Sequence, residues 1–303
     1  MTKMLVVTPG RLGDFVMAVP ALRCLRKAME PDVEVTLVVG PEAGDLAVRL
    51  PYYDKIVIAT RDGKTLRFGP LVESSYDVGV LLRYDADYYG VASQIRECCD
   101  FSATWASSVT EAKLKRNGPA WDRNFDMVLR PDGHIQHEVL RNLVLVGTVG
   151  AFDVSTTEPL VLPYLQGFAK LPELPLVVAP FTGEAHKDML TDWWPLLKGR
   201  EAVLIGTPDQ AAKLEAMAEE IEASVYTGPL TTSMGLVANA GKVVTMDSGM
   251  SHVAAAYGKP HMAIFTGWDG TDGTSYDPKR FGPWASTSRW TRQQDQLIDF
   301  LEA

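Results

Sequence analysis

The clearest chemical signal in this chain of 303 residues is Asp247, Ser248 and Gly249, which stand between a predicted strand, 243–246, and a predicted helix, 250–257. The first backbone N–H groups of a helix have no partner inside the helix, and the aligned peptide dipoles add about half a positive charge there. Such an end can bind a phosphate. Gly249 lets the backbone approach closely, Ser248 offers a hydroxyl, and Asp247 suits a ribose hydroxyl or a helix cap. The stretch predicts either a phosphate site or simply a capped helix of a parallel sheet.

The longer string DSGMSHVAAAYGKP, which starts at Asp247, resembles the D-[ST]-G-x-x-H-x-A-A-A-x-G-x-P strand, turn and helix of glycosyltransferase family 9, the heptosyltransferase family. The resemblance implies the nucleotide-binding domain of that family, in which the Asp, Ser or Thr, Gly and His contact the sugar nucleotide. Here these residues are Asp247, Ser248, Gly249 and His252. The resemblance also implies an ADP-heptose donor and a lipopolysaccharide-type acceptor.

A second matching string is GRLGDFVMAVPALRCLRK, residues 10–27, which follows the first predicted strand. It resembles the R-x-G-D loop and basic helix of the same family, in which the Asp is the proposed general base, so the resemblance gives that role to Asp14. An inverting transfer needs a carboxylate within hydrogen-bond reach of the acceptor hydroxyl. Gly10 and Gly13 let the loop approach the donor phosphates. The alternative role of Asp14 is a helix cap.

The third string is APFTGEAHKDMLTDWWP, residues 179–195, after another predicted strand. The family has Thr or Ser here, then a Lys and W-P. The resemblance implies that Lys187 neutralises the departing pyrophosphate and that Thr182, next to Gly183, donates a hydrogen bond to it. A positioned cation lowers the barrier because the leaving nucleoside diphosphate gains negative charge. Here DMLTDW separates Lys187 from the W-P pair, and the alternative is an ordinary surface lysine.

Two weaker matches complete the predicted donor site. Gly206 and Asp209 follow the strand AVLI at the point where the family places an acidic residue near the nucleotide ribose. The segment TGPLTTSMG resembles the loop that holds the base in the family, which assigns Gly228 and Leu230 to that role.

Metal and cofactor patterns carry less weight. Asp85 and Asp87 form a D-x-D, a spacing that holds a divalent ion in other sugar transferases, and His134 and His137 are three residues apart. HIQHE is not the H-E-x-x-H zinc motif, however, and the resembled family is metal-independent. No P-loop occurs and no G-x-G-x-x-G follows a strand, which removes most support for NTPases and NAD-dependent oxidoreductases. We expect no metal, and a nucleotide-sugar substrate, ADP-linked by the resemblance, rather than a cofactor.

The composition suits a soluble globular protein. The net charge is −9, and neither half of the chain has the basic excess typical of nonspecific nucleic-acid binding, so a nucleic-acid partner is less favoured. No apolar run approaches the length of a membrane span, and no secretory signal opens the chain, which predicts a cytoplasmic protein. Two basic clusters in the first half fit an acidic or phosphorylated acceptor, namely Arg61, Lys64 and Arg67, and Lys113, Lys115 and Arg116.

Strand and helix patterns alternate through both halves of the chain, which predicts parallel doubly wound sheets. We therefore expect an α/β protein of two Rossmann-like domains, which the resemblance makes a GT-B fold with the domains facing a central cleft. The predicted boundaries are an acceptor-binding domain at 1–152, a Pro-rich linker at 153–173 and a nucleotide-sugar-binding domain at 174–288. Residues 289–303 are predicted to form a helix that packs back on the first domain.

Taken together, these patterns predict an inverting, metal-independent glycosyltransferase that moves a heptose or related sugar from a nucleotide-sugar to an acceptor hydroxyl, with Asp14 as base. A different acceptor, such as another glycan or a modified nucleic-acid base, remains open. A non-catalytic sugar-nucleotide-binding protein is also open, although binding alone needs no base such as Asp14. An epimerase built from two such domains fits the same fold.

Overall fold

The chain folds as two compact units, Met1–Thr156 and Thr157–Ala303. A computed structural model describes residues 1–29, 31–62, 65–68, 75–82, 89–106, 124–130, 136–155, 157–161, 165, 171–270 and 277–303. Each unit contains one six-stranded sheet in which all pairs are parallel. The division falls inside the predicted linker, and the predicted pair of Rossmann-like domains is confirmed.

The first unit has its central strand at β1, whose residues Met4 to Thr8 are buried. Its sheet has the order β3-β2-β1-β6-β7-β8, and β4 and β5 form a separate antiparallel pair. The strands are β1 Thr2–Thr8, β2 Val33–Val39, β3 Lys55–Ile58, β4 Thr60–Asp62, β5 Thr65–Arg67, β6 Tyr76–Leu81, β7 Cys99–Trp105 and β8 Met127–Leu129. The helices are α1 Leu12–Met29, α2 Gly44–Ala47, α3 Tyr89–Cys98 and α4 Glu138–Gly150, with a 3₁₀ turn at Pro41–Ala43.

The second unit repeats this arrangement with the order β11-β10-β9-β12-β13-β14. Its strands are β9 Leu174–Ala179, β10 Ala202–Ile205, β11 Ser224–Tyr226, β12 Ala240–Met246, β13 His261–Ile264 and β14 Ser288–Thr291. Its helices are α5 Glu158–Val161, α6 Ala211–Ile221, α7 Leu230–Ala238, α8 Gly249–Ala256, α9 Pro278–Phe281 and α10 Gln294–Glu302. Its 3₁₀ segments are Ala185–Lys187, Thr191–Leu197 and Pro208–Gln210.

Both strand orders reverse direction once, between β1 and β6 in the first sheet and between β9 and β12 in the second. Helices on opposite sides of such a reversal leave a crevice outside the carboxyl ends of the two strands, where open α/β sheets bind ligands. The residues that follow β1, β9 and β12 are those that the sequence singled out for chemistry. The fold therefore places them at the expected edges of their sheets.

The C-terminal segment differs from its prediction. Residues 288–291 form the edge strand β14 rather than the start of a helix, and α10 begins only at Gln294. The apolar face of α10 packs in the hydrophobic core of the second unit through Leu297, Phe300 and Leu301. These three side chains therefore help to form the core of the second unit, and the predicted packing of this helix on the first domain stays a prediction.

None of the helices in the described part of the chain is long and apolar enough to cross a membrane.

Candidate functional site

The loops after β9 and β12 meet at the strand reversal of the second sheet. Lys187 Nζ lies 3.3 Å from Asp247 Oδ2, and each side chain is only 13% exposed. Glu184 adds a second carboxylate, with Oε1 at 3.7 Å from the same nitrogen. The sequence predicted both Lys187 and Asp247 as donor-binding residues, and the structure brings them together although 60 positions separate them.

Helix α8 begins directly after Asp247. Ser248 is its N-cap, with the extended backbone angles φ −150° and ψ 173°, and Gly249 is its first residue. At the other end, Gly258 has φ 65°, and its N–H donates to the carbonyl of Ala255 while the N–H of Lys259 donates to Ala254. This pair of bonds is a Schellman motif, which glycine favours because the left-handed conformation costs it little. The sequence prediction of a glycine-terminated helix is confirmed.

Two hydroxyls in the first turn of α8 lack partners. The Oγ atoms of Ser248 and Ser251 are buried, and neither has a hydrogen-bond partner among the described residues. His252, one residue further on, is also buried. A buried hydroxyl without a hydrogen-bond partner costs free energy of folding. An oxygen-rich anion at this helix end would accept hydrogen bonds from these hydroxyls and would also be stabilised by the helix dipole.

The predicted residues Thr182 and Gly183 belong to the turn that carries Lys187. The Thr182 hydroxyl donates to the carbonyl of Glu184 at 2.8 Å and accepts from its N–H at 3.0 Å, and Gly183 is exposed between them. In this structure the hydroxyl proton of Thr182 therefore serves the turn itself. Its predicted donation to a pyrophosphate requires the hydroxyl to rotate away from the Glu184 carbonyl.

The weaker predictions lie along the same edge of the sheet without a described contact to Lys187 or Asp247. Gly206 follows β10 directly, and a Cβ there would lie 2.7 Å from Gln210 Oε1, so a side chain at this position would displace the Gln210 amide. Asp209 is exposed in the 3₁₀ turn Pro208–Gln210. Gly228 packs against the phenol ring of Tyr226, and Leu230 is the first residue of α7.

Sequence reasoning missed the residues that hold this site together. Gln210, directly after the predicted Asp209, donates from Nε2 to the carbonyl of Thr182 at 3.0 Å. Asp188 accepts a hydrogen bond from the Thr182 N–H. A Cβ on Gly267 would lie 2.7 Å from Cγ of Lys187. Only Asp188 had a visible signal, its place next to Lys187, because the other two contacts join residues distant in sequence.

One buried histidine lies at the start of β13. His261, on β13, is fully buried, with Nε2 at 2.9 Å from Thr245 Oγ1 and Nδ1 at 3.2 Å from Ser288 Oγ. Burial lowers its pKa to about 3. The ring is therefore neutral near pH 7 and joins three adjacent strands, β12, β13 and β14, through its two nitrogens.

In the first unit, Asp14 lies in the first turn of α1. Its Oδ2 accepts from the N–H of Arg11 at 3.0 Å, the reach-back bond of a capping box. Gly10 packs directly under this carboxylate, since a Cβ at residue 10 would overlap Oδ2. Gly13 lies within the same turn, at the second helical position. The capping role allowed by the sequence is therefore present, and it holds the carboxylate at the carboxyl edge of β1.

The loop before Asp14 is anchored from the β4 strand. Arg61 Nη2 donates to the carbonyl of Pro9 at 2.9 Å, and Arg61 Nε lies 2.7 Å from Glu42 Oε1. The sequence associated Arg61 with acceptor binding. In the structure its guanidinium instead supports the backbone of the loop that leads to Asp14.

The metal patterns remain predictions in part. Asp85, Asp87 and His134 lie outside the described residues, as do Lys64 and the cluster formed by Lys113, Lys115 and Arg116. Across the residues that are described, no three His, Cys, Asp or Glu side chains are grouped as metal ligands. His137 caps α4, with Nδ1 accepting from the N–H of Val139 at 3.2 Å, as the sequence favoured.

Residues 197–299 match the family model described as glycosyltransferase family 9 (heptosyltransferase). Most of the second domain is therefore similar to glycosyltransferase family 9. The match includes the Asp247 motif and α8, whereas Lys187 and the whole first domain lie outside it. The predicted family and the predicted glycosyltransferase enzyme are confirmed by this match. No curated protein matches the chain significantly.

Solved structures extend the likeness to the whole chain. The E. coli heptosyltransferase WaaC with ADP is 16% identical, with a TM-score of 0.75 and 99% of each chain covered. The E. coli ADP-heptose lps heptosyltransferase II is 17% identical, with a TM-score of 0.67, 99% of this chain and 98% of that chain covered. A putative UDP-N-acetylglucosamine 2-epimerase from Listeria monocytogenes reaches a TM-score of 0.55 at 12% identity, covering 99% of this chain and 88% of that chain. At these identities the likeness shows the fold, and the predicted GT-B type is confirmed.

Proposed function

We propose that this family 9 protein is an inverting, metal-independent transferase that moves a heptose or related sugar from a nucleoside-diphosphate sugar to an acceptor hydroxyl. The observation that carries the proposal is the Lys187–Asp247 contact of 3.3 Å beside the N-terminus of α8. An ammonium group and a helix N-terminus at one strand reversal match the charge of a diphosphate. The Asp247 carboxylate accepts a hydrogen bond from a hydroxyl of the ribose or of the transferred sugar.

The donor diphosphate is held by three kinds of group. Lys187 supplies a full positive charge, the first N–H groups of α8 supply the helix dipole, and the Ser248 hydroxyl, which lacks a partner among the described residues, supplies a donor. Because the leaving nucleoside diphosphate gains negative charge as the glycosidic bond breaks, the same groups stabilise the transition state more than the bound donor.

Asp14 is the proposed base. The acceptor oxygen attacks the anomeric carbon while Asp14 takes its proton, and the bond from that carbon to the β-phosphate oxygen breaks with inversion. The N–H of Arg11 fixes one oxygen of the carboxylate at 3.0 Å, which limits the orientations of the base. The N-terminal end of α1 favours negative charge at this position.

One of the two E. coli structures is a heptosyltransferase with ADP and the other an ADP-heptose heptosyltransferase, and we therefore propose ADP-heptose as donor. A lipopolysaccharide-type acceptor follows from the same likeness. An acceptor outside lipopolysaccharide, glycan or nucleic-acid base, is the alternative within the transferase class, and the Listeria likeness keeps an epimerase among the outcomes of the test.

The test is a thermal-shift panel of ADP, UDP, GDP and CDP, followed by incubation with the corresponding nucleotide sugars and mass spectrometry of the products. We expect the largest shift with ADP, its loss in Lys187→Ala and Asp247→Ala, and release of ADP only when an acceptor is added. Conversion of a sugar nucleotide without any acceptor would identify an epimerase. Binding with no turnover against a lipopolysaccharide-core acceptor or glycan panel would favour a non-catalytic binding protein.

A further inference from the structure

We propose that Asp188 is a positioning residue that fixes Lys187 for the donor diphosphate. The inference rests on the proposed function, because it concerns the same lysine. Asp188 opens the DMLTDW segment that separates Lys187 from the W-P pair. Its side chain is only 13% exposed, although it lies on a loop.

The Asp188 carboxylate closes a ring of seven residues. Its Oδ1 accepts from the N–H of Thr182 at 2.7 Å, so the two ends of the loop are joined. Inside the ring, the N–H of Lys187 donates to Glu184 at 2.8 Å, and the N–H of Asp188 donates to Ala185 at 3.2 Å. The backbone of Lys187 is therefore held within a closed turn whose clasp is a charge-assisted hydrogen bond.

The other side of the loop is attached to the sheet through the same segment. The Asp188 carbonyl accepts from Thr266 Oγ1 at 3.5 Å, and the N–H of the buried Met189 donates to the carbonyl of Pro180 at 2.8 Å. Gly267 packs against the Lys187 stem. With the loop attached in this way, the Lys187 ammonium lies 3.3 Å from Asp247.

A clasp is needed here because the loop has little packing of its own. Gly183, Ala185 and His186 are exposed, so no apolar side chain in the middle of the turn holds it on the core. A lysine side chain has a flexible stem, and a mobile backbone beneath it spreads the ammonium over many positions. Fixing the turn raises the fraction of molecules in which the ammonium meets a bound phosphate.

Lys213 contacts the same carboxylate but contributes less to the clasp. Its Nζ lies 3.1 Å from Asp188 Oδ2, and its side chain is 59% exposed. Exposed ion pairs contribute little free energy, so the ring depends on the bond to the Thr182 N–H. This difference supplies matched variants. Asp188→Ala removes the clasp, and Asp188→Asn keeps an acceptor for Thr182. Lys213→Ala removes the outer ion pair and the contact of Lys213 with the Phe181 ring, but leaves the clasp in place.

The experiment is a double-mutant cycle on the full chain, with ADP binding measured by titration calorimetry. We expect Lys187→Ala to weaken ADP about tenfold or more and Asp188→Ala about fivefold. In the Lys187→Ala background, Asp188→Ala should change the affinity less than twofold. Asp188→Asn and Lys213→Ala should each stay within about twofold of the unaltered chain.

Equal weakening by Asp188→Ala in both backgrounds overturns the proposal, because Asp188 then acts on the site without Lys187. If Asp188→Ala does not weaken ADP binding in the otherwise unaltered chain, the proposal is also overturned. In that case, weaker ADP binding by Lys187→Ala would still support the donor site. If Asp188→Ala does not fold, Asp188→Glu, whose longer side chain misplaces the clasp, takes its place in the cycle. Failure of Lys187→Ala to weaken ADP removes the proposed donor site and this inference together.

Discussion

The two domains of this protein use the same strand order for different chemistry. In the second sheet, the loops after β9 and β12 both supply a side chain, and Lys187 and Asp247 meet across the strand reversal. In the first sheet, the loop after β1 turns back on itself, with Asp14 bound to the N–H of Arg11. Under the proposed function, the strand order determines where each site lies, whereas the loops decide whether it presents a lysine paired with a carboxylate or a carboxylate alone.

Loss of the carboxylate in the first domain should have the largest effect. We expect Asp14→Asn to lower turnover about a hundred- to ten-thousandfold, because an amide cannot take the acceptor proton. Asparagine still accepts from the Arg11 N–H, so ADP affinity and melting temperature should stay unchanged. The exposed Asp45→Asn is the matched control. Normal turnover by Asp14→Asn would remove Asp14 as the base.

Displacement of the same carboxylate should have a smaller effect. In Gly10→Ala the new Cβ overlaps Asp14 Oδ2, so the carboxylate must move, and misplacement by about 1 Å can cost about a hundredfold in rate. Turnover should fall by up to that factor while ADP affinity is kept. Gly90→Ala, where a Cβ meets nothing within 4 Å, is the control. A parallel loss of ADP affinity would show that the two domains do not divide the work as proposed.

The smallest expected effect concerns stability of the second domain. His261 has a folded pKa of about 3, below its unfolded value of about 6.5, so the unfolded chain binds more protons as the pH falls. This contribution to stability is complete above about pH 6.5 and is lost as the pH falls toward 3. Between pH 7 and 5 the unaltered chain should lose about 2 kcal/mol more than His261→Asn.

Denaturant unfolding of both proteins at pH 7, 6 and 5 measures this difference. If the difference in unfolding free energy between the two proteins stays constant across that range, His261 takes up its proton at the same pH in the folded and in the unfolded chain, and the prediction is wrong. His137, the only described histidine of the first domain, caps a helix, so a His137→Asn variant is the comparison for His261→Asn in the same unfolding experiment.

Much of the fold could be predicted because its central strands are continuous apolar runs. The predicted bounds of β2 agree with the observed ones, because the polar residues of VEVTLVV stand singly between apolar residues. β7 was missed because CDFSATW begins with polar residues and lacks alternation, and pairing with β6 determines its conformation. β14 was taken for a helix because SRWT is a polar edge strand that depends on β13.

The residues of the candidate site likewise differ in how far the sequence could predict them. Asp247, Ser248 and Gly249 could be predicted because a strand, a turn and a helix are consecutive in sequence. The resemblance assigned both Lys187 and Asp247 to the donor, but it did not predict the contact between them, because that contact depends on the strand order that brings the two loops together. The bonds of Thr182 to Asp188 and Gln210 could not be predicted, because loop closure depends on side-chain reach rather than on residue pattern.

Lys187 lies between two carboxylates of its own chain, at 3.3 Å from Asp247 and 3.7 Å from Glu184. These carboxylates act as counter-ions of the lysine. If the proposed donor site is correct, a diphosphate that binds there must displace them from the Lys187 ammonium. This displacement lowers the net affinity for every nucleotide, including the product. Because product release limits the rate of many enzymes, a site that recaptures its own lysine favours turnover over storage of the spent nucleotide.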